Sequence, residues 1–342
     1  MTARYVPREW PRETPVDFAV SYTAVATSSG RRRVIVTYPR DGARHPAILL
    51  FGGIGCFSID APGTNDPYRD LLYHLTRRGY ATVRVEKSGL GDSEGPPCSV
   101  ADFDTELAGY AAALSAMPQF PSVDSTRVFL FGHSIGGVAA PALLARHLSA
   151  TAVRGVVVLS TVGINWYEYE LANLRRQLVL DGLPADSVDQ EMSWKIKCGY
   201  RLLVAGESSA SIAADEPRCQ PLVSYPASDR YLQEIASINI GAVWQAVACP
   251  VLVLGAASDF VTSTDELRGL ADAINAGHPG LATYVEIPLL DHHLSREASQ
   301  RAAFTDPTPP AMRPYYGATL EPVLDGWLDK VSRRTFAGSS PK

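Results

Sequence analysis

The sequence predicts an α/β protein: a mostly parallel, eight-stranded sheet with helices on both faces and a helical cap insertion. Three observations carry that expectation. Short β-branched runs alternate with longer helical patterns along most of the chain. Most of those runs are continuously apolar, as strands buried on both faces must be. One span, residues 165–247, breaks the alternation and contains no strand-like run of comparable strength.

Phe18 to Thr27 and Arg33 to Tyr38 alternate in polarity around a Ser28-Ser29-Gly30 turn and predict an antiparallel hairpin at the sheet edge. Six apolar runs follow: Ala47 to Phe51, Ala81 to Val85, Val128 to Phe131, Val156 to Leu159, Val251 to Leu254 and Thr283 to Ile287. Helices separate them. Asp66-Pro67 supplies an N-cap and a proline at the first helical position, with Gly79 as the stop after Arg78. Ser99-Val100-Ala101-Asp102 resembles a capping box opening a helix that runs to Met117, where Pro118 follows. Further helices are predicted over Ile135 to His147, from the cap Ser263-Thr264-Asp265-Glu266 to Gly277, and over Glu321 to Arg334. Within 165–247 the clearest helical patterns are Trp166 to Leu180, Ser187 to Leu203 and Asp229 to Ser237. A strand-free excursion between two buried strands reads as a cap over a site. The expected division is a core of residues 1–164 and 248–342 carrying the cap.

Composition excludes more than it identifies. The 342 residues carry 31 basic and 36 acidic side chains, a net charge of −5, so no global basic footprint invites nucleic acid or an anionic membrane. Arg31-Arg32-Arg33 reads as a solvated strand end. No apolar stretch reaches the roughly 18 residues that a membrane helix needs, and Met1 to Asp17 shows no secretory h-region. The five cysteines, Cys56, Cys98, Cys198, Cys219 and Cys249, fall at scattered spacings without a CxxC or zinc pattern. They read as reduced thiols, Cys56 as a buried small hydrophobe, in a cytoplasmic protein.

The chemistry concentrates in Gly132-His133-Ser134-Ile135-Gly136. This Gly-x-Ser-x-Gly follows a buried strand and opens a helix whose start is rich in small residues, the setting of a nucleophile elbow. Such a turn holds the serine on a strained backbone with its Oγ exposed, and the Ile135 N–H at the helix N-terminus faces developing negative charge. A serine at its ordinary pKa is a poor nucleophile and needs a base and an orienting acid. Asp259, after the strand Pro250 to Gly255, and His292, after the strand ending at Ile287, fill those roles in chain order. Asp291-His292 favours His292 over His293 as the base. Asp265, the runner-up acid, is explained by helix capping.

These residues and their order resemble the α/β-hydrolase superfamily over nearly the whole chain, residues 17–335, with the cap as the variable part. The resemblance is reinforced by Phe51-Gly52-Gly53-Ile54-Gly55, similar to the family's His-Gly-Gly-type oxyanion loop with Phe51 in place of histidine. It implies an oxyanion hole made by the N–H of Gly53 or Ile54 together with Ile135. Ser88-Gly89-Leu90-Gly91-Asp92-Ser93-Glu94-Gly95 is similar to the family's Gly-x-Gly-x-Ser loop and reads first as a structural turn.

The expected function is cleavage of a carboxylic ester through an acyl-enzyme on Ser134, acting on a small-molecule acyl substrate with no metal or organic cofactor. A thioesterase or acyltransferase is the alternative, a peptidase or amidase ranks third, and a non-catalytic ligand-binding protein is the competing class. His133, Trp166 and Tyr169 are candidate substrate-lining residues. Arg175, Arg176, Lys195, Lys197 and Arg201 read as a solvated mixed-charge face. The sequence leaves the oligomeric state open.

Overall fold

The structure is a computed structural model that describes residues 13–60, 66–146 and 153–333. The signal-peptide reading of residues 1–12 and the helix ends expected at His147 and Arg334 lie outside them. The expected eight strands form a single sheet: β1 (Phe18–Thr27), β2 (Gly30–Pro39), β3 (His45–Phe51), β4 (Ala81–Val85), β5 (Val123–His133), β6 (Val153–Leu159), β7 (Val251–Ala256) and β8 (Ala282–Ile287). Their order is β1-β2-β4-β3-β5-β6-β7-β8. The β1–β2 and β2–β4 pairs are antiparallel, and every other neighbouring pair is parallel.

Continuous apolar runs form these strands because both faces are covered. Along β3, Ala47, Leu49 and Phe51 enter one apolar cluster while Ile48 and Leu50 enter the other. Helices α1 (Pro67–Arg77) and α12 (Leu320–Ser332) cover one face through Leu71, Leu72, Leu75, Leu324 and Trp327. Helices α2 (Phe103–Ala116), α3 (Gly136–Arg146) and α10 (Thr264–Gly277) cover the other. The short α11 (Gln300–Thr305) precedes α12.

Between β6 and β7 the chain contains only helical elements: α4 (Trp166–Leu180), α5 (Ala185–Leu203), α6 (Ser209–Asp215), α7 (Gln220–Val223), α8 (Asp229–Ala236) and α9 (Ile240–Gln245), with a 3₁₀ turn at Pro217–Cys219. Their buried side chains, among them Leu202, Ile235 and Trp244, join the apolar cluster of the α2–α3–α10 face. The insertion is thereby welded to the core on that side.

Capping follows the sequence at two helices and departs from it at a third. Asp66 accepts from Arg69 N at 2.7 Å with Pro67 beginning α1, and Ser263 caps α10. In α2, by contrast, Asp102 is the N-cap and accepts from Thr105 N at 2.8 Å. The expected cap, Ser99, lies in a separate 3₁₀ turn, because extended backbone at Ala101 interrupts the helical path. The basic run also differs from expectation. Arg32 and Arg33 are 1% and 2% exposed. Arg33 pairs with Asp60 and with Asp92, the latter at 3.5 Å, and Arg32 donates to Glu94 O. Placing β2 beside β4 carries these guanidinium groups under the 88–95 loop, where ion pairs compensate the burial of Arg33 and hydrogen bonds to Glu94 O and Ser29 Oγ that of Arg32.

The cysteine reading is overturned. Cys56 pairs with Cys98 and Cys198 with Cys219, leaving Cys249 as the buried free thiol. Tertiary packing, invisible in the spacing, brings the partners together, and Cys56 is exposed rather than buried. Disulfides persist in oxidising surroundings, so the expectation of a cytoplasmic protein loses the support it drew from reduced thiols. Among the described residues no helix is long and apolar enough to cross a membrane. The Cys56–Cys98 link ties the loop after β3 to the start of the 3₁₀ turn before α2. Closing a loop of that sequence separation, 42 residues, is worth about 4 kcal/mol. Cys56→Ser will therefore lower the melting temperature by several degrees in calorimetry under non-reducing conditions. An unchanged Tm would show that the bond contributes nothing.

Candidate active site

The elbow is built by close approach. β5 ends at His133 and α3 begins at Gly136, so the chain reverses within two residues. A Cβ at Gly132 would lie 2.5 Å from Gly136 O, and one at Gly136 would collide with Phe51 O on the neighbouring strand. Glycine at both positions is a steric requirement. Gly136→Ala will destabilise the fold by about 3 kcal/mol or more, read from chemical denaturation. A loss below about 1 kcal/mol would refute this account of the turn. Ser134 sits at φ 55°, a left-handed conformation that costs about 1–3 kcal/mol for a residue with a Cβ. The strain is held by Ser134 N donating to Leu159 O (3.1 Å) and by Ser134 O accepting from Gly137 N (3.0 Å) and Thr161 Oγ1 (2.8 Å).

Asp259 and His292 come together as the sequence order requires. His292 Nδ1 is 2.8 Å from Asp259 Oδ2, and both side chains are buried. Asp259 also accepts from Thr262 Oγ1 (2.6 Å) and from the amides of Val261 (2.7 Å) and Thr262 (3.0 Å). Burial alone would raise the Asp259 carboxyl, but the charge and hydrogen bond of His292, with Thr262, bring it down to about 2. Burial likewise opposes protonation of His292, yet Asp259 prevails and the imidazole titrates above its ordinary value. The pair is thus biased toward carboxylate and a readily protonated imidazole.

His293, the alternative base, points elsewhere electrostatically. Burial, His292 and Arg313 lower it to about 4. The carboxylate hydrogen-bonded to the His292 imidazole is Asp259 and not Asp291. Asp291 accepts from the His293 and Ser295 amides (3.0 and 2.7 Å) and pairs with Arg313 at 3.1 Å, which winds the loop carrying His292. Leu289 and Leu294 in that loop both have positive φ. Asp265 lies in the first turn of α10, consistent with a helix-end role.

One cavity of about 570 Å³ joins these groups. Its wall includes Gly53, Ile54, Phe57, Ser58, Asp66, Tyr68, His133, Ser134, His292, His293 and Leu294. His133 therefore reaches the cavity as expected. Burial first, and then His292, lower its imidazole to about 3, so it is neutral. Its Nδ1 lies 2.5 Å from Tyr68 Oη and its Nε2 2.9 Å from His292 O. Trp166 and Tyr169 are corrected: neither belongs to the described cavity wall. They pack on each other at 5.0 Å between ring centroids and are buried in the core of the α2–α3–α10 face. Their aromatic character is used for packing.

Several residues with roles here escaped the sequence reading. Arg176, assigned to a solvated face, donates to Phe260 O (3.2 Å) and Val261 O (2.9 Å) and so clamps the Asp259 loop from α4. Tyr68 accepts from Gly53 N at 2.9 Å. Lys87 donates from Nζ to Gly53 O at 2.9 Å and pairs with Glu106 at 3.2 Å. None lies in a motif; packing of α4 brings Arg176 to the Asp259 loop, and α1 and the end of β4 bring Tyr68 and Lys87 to the loop after β3. Among the described residues, no three His, Cys, Asp or Glu side chains are grouped as metal ligands.

Comparison with known proteins agrees with the fold. The family model described as serine aminopeptidase, S33, matches residues 64–298. An uncharacterized protein of Pseudomonas aeruginosa, PA2218, is 27% identical over 133 residues, which are 36% of this chain and 33% of that protein. The sequence match thus spans a third of the relative's length. In three dimensions, the crystal structure of PA2218 aligns with a TM-score of 0.55 at 14% identity, covering 96% of this chain and 99% of that one. The α/β hydrolase GrgF from Penicillium sp. sh18 aligns with a TM-score of 0.57 at 17% identity, covering 92% and 98%. Carboxyl esterase 2 from the fungus Tuber melanosporum gives 0.54 at 14% identity, covering 94% and 89%. At these identities the structural neighbours establish the fold, and the family match extends over most of the chain. The chain belongs to the S33 serine aminopeptidase family of α/β-hydrolases.

Proposed function

We propose that the protein is a serine hydrolase that cleaves a small carboxylic ester through an acyl-enzyme on Ser134. The observation that carries the reading is the convergence on one cavity of a strained Ser134 and a His292 whose Nδ1 is held by Asp259 at 2.8 Å. His292 takes the Ser134 proton as Oγ attacks the acyl carbon, then returns it to the departing alcohol. Asp259 fixes the tautomer that leaves Nε2 unprotonated and stabilises the imidazolium. Backbone N–H groups after β3 and at Ile135, the start of α3, meet the developing oxyanion. Water, activated by His292, then releases the acid.

An ester is favoured over other acyl donors by the wall. Ile54, Phe57, Pro67, Leu294 and Pro310 supply apolar surface for a neutral acyl or alcohol group. Structural neighbours named as esterases support the same choice. One observation favours a second reading, cleavage of an amide next to a free amine. Asp66 is the acidic residue in the described wall, and burial raises its carboxyl despite the Arg69 amide it accepts. The family's description as aminopeptidases points the same way.

The test sets p-nitrophenyl esters of graded acyl length beside acyl-CoA thioesters and aminoacyl-p-nitroanilides, with fluorophosphonate labelling followed by peptide mass mapping. The ester reading expects label on Ser134 and kcat/KM for a short ester at least about 100-fold above that for the anilides. Preference for the anilides would transfer the proposal to the second reading, and label elsewhere would overturn it. Residues 165–247 are proposed to act as a cap that steadies the acid loop through Arg176 while the loops after β3 and β8 shape the cavity.

A further inference from the structure

The loop after β3 offers two backbone N–H groups to an oxyanion, and the hydrogen bonds around it separate them. Gly53 N–H is already committed to Tyr68 Oη at 2.9 Å. That hydroxyl is itself held. His133 Nε2 faces His292 O, a carbonyl that can only accept, so the ring proton is on Nε2 and Nδ1 is the acceptor. Tyr68 consequently donates its proton to His133 Nδ1 across 2.5 Å while its oxygen accepts from Gly53. Burial raises the Tyr68 phenol further, so it keeps that proton at any working pH. The chain from Gly53 through Tyr68 and His133 to the His292 carbonyl has one consistent direction, and every donor in it is used.

The next peptide is arranged differently. Gly53 O accepts from Lys87 Nζ at 2.9 Å, and Lys87, 6% exposed, is paired with Glu106 at 3.2 Å. Gly53 C=O and Ile54 N–H are two ends of one planar peptide unit. An ammonium on the oxygen draws electron density along that unit and makes its N–H a stronger donor, the more so in buried surroundings. Ile54 lies in the cavity wall, and its N–H meets no protein acceptor among the described residues.

We infer that the oxyanion donor after β3 is Ile54 N–H, polarised through its peptide by Lys87, and that Gly53 N–H instead holds the Tyr68–His133 relay that ties this loop to the base loop. Lys87 is then a positioning residue: it touches no substrate but sets the direction and strength of the donor. Glu106 in α2 fixes the ammonium in place. This inference rests on Ser134 being the nucleophile.

The experiment uses the intact protein labelled with ¹⁵N-isoleucine and ¹⁵N-glycine, observed before and after reaction with an alkyl boronic acid, whose adduct on serine carries an anionic oxygen. The expected result is a downfield shift of the Ile54 amide proton with the Gly53 amide little changed. A Gly53 shift with Ile54 unmoved would overturn the inference alone, since Tyr68 would then have surrendered the amide. No adduct, with fluorophosphonate also failing to label Ser134, would overturn the nucleophile assignment and this inference with it. Kinetics give a second reading. Lys87→Met paired with Glu106→Gln leaves no unpaired buried charge, and should lower kcat for a short ester about 10-fold or more, with KM within about 2-fold. Lys87→Arg should restore most of kcat. A double variant with kcat unchanged, or with the loss confined to KM, would refute the role of Lys87.

Discussion

Ser134→Ala will lower kcat/KM for short p-nitrophenyl esters by about 10⁵-fold or more while the protein remains folded. The magnitude follows from the loss of the covalent route: serine knock-outs in comparable triads cost about 10⁶ in kcat, and what survives is catalysis by the oxyanion donors alone. No neighbour can replace the hydroxyl. The Tyr68 phenol is held above its ordinary range and donates to His133, which is itself neutral and hydrogen-bonded at both nitrogens. Folding should be little affected, because alanine tolerates φ 55° no worse than serine and the hydrogen bonds that hold the turn use the backbone of residue 134. Circular dichroism should show a melting temperature within a few degrees of wild type. Retention of a tenth or more of the activity by a folded variant would remove Ser134 from the mechanism.

The second large effect concerns the base. His292→Ala should reduce kcat by about 10⁴-fold or more, whereas His293→Ala should cost less than about 10-fold. The two imidazoles lie side by side, at 5.6 Å between ring centroids, but only His292 reaches a carboxylate. Their pH dependence separates them further. A general base works when neutral, so activity is lost as pH falls through its pKa. Burial depresses His292 and Asp259 more than offsets it, so the acid limb of kcat/KM should lie above 6.5. If His293 were the base, the limb would lie near 4. In Asp259→Asn the charge is removed and burial is left unopposed. The limb should then move below 6.5 while kcat falls by about 10⁴-fold, because the amide also favours the wrong tautomer. A wild-type limb near 4, or an inactive His293→Ala beside an active His292→Ala, would shift the assignment by one residue.

Much of this molecule is legible because its signals are local. Continuous runs such as Leu49 to Phe51 and Val156 to Leu159 announce strands covered on both faces, and the sheet has helices on both. Asp66-Pro67 and Ser263 cap the helices they were expected to cap, since an N-cap needs only its own next three residues. The elbow is local too: glycines at 132 and 136 are demanded by a reversal that the sequence itself encloses. Ser99 misled because two residues of extended or capping backbone were enough to move the helix start to Asp102.

What escaped depends on which segments lie side by side. Trp166 and Tyr169 carry no mark distinguishing a core aromatic from a pocket aromatic, and their burial in the apolar cluster of the α2–α3–α10 face decided for the core. Arg32 and Arg33 read as solvated because nothing in their neighbourhood reveals that β2 adjoins β4, or that Asp60 and Asp92 would meet Arg33 and Glu94 O would meet Arg32. Cysteine pairing across residues 56 and 98 is equally non-local. So are Tyr68 and Lys87, which act on one loop from α1 and from the end of β4.

The sequence by itself determined the fold class, the strained turn at Ser134 and the chain order of the residues proposed as nucleophile, acid and base. These follow from periodicity, from steric limits within a few residues and from the chemistry of side chains. Tertiary structure alone decided the partners of each backbone donor, the pairing of the cysteines and the residues that wall the cavity. Hydrogen bonds and ion pairs act over about 3 Å in space, and a chain folded through crossovers places within that distance residues that no sequence spacing relates.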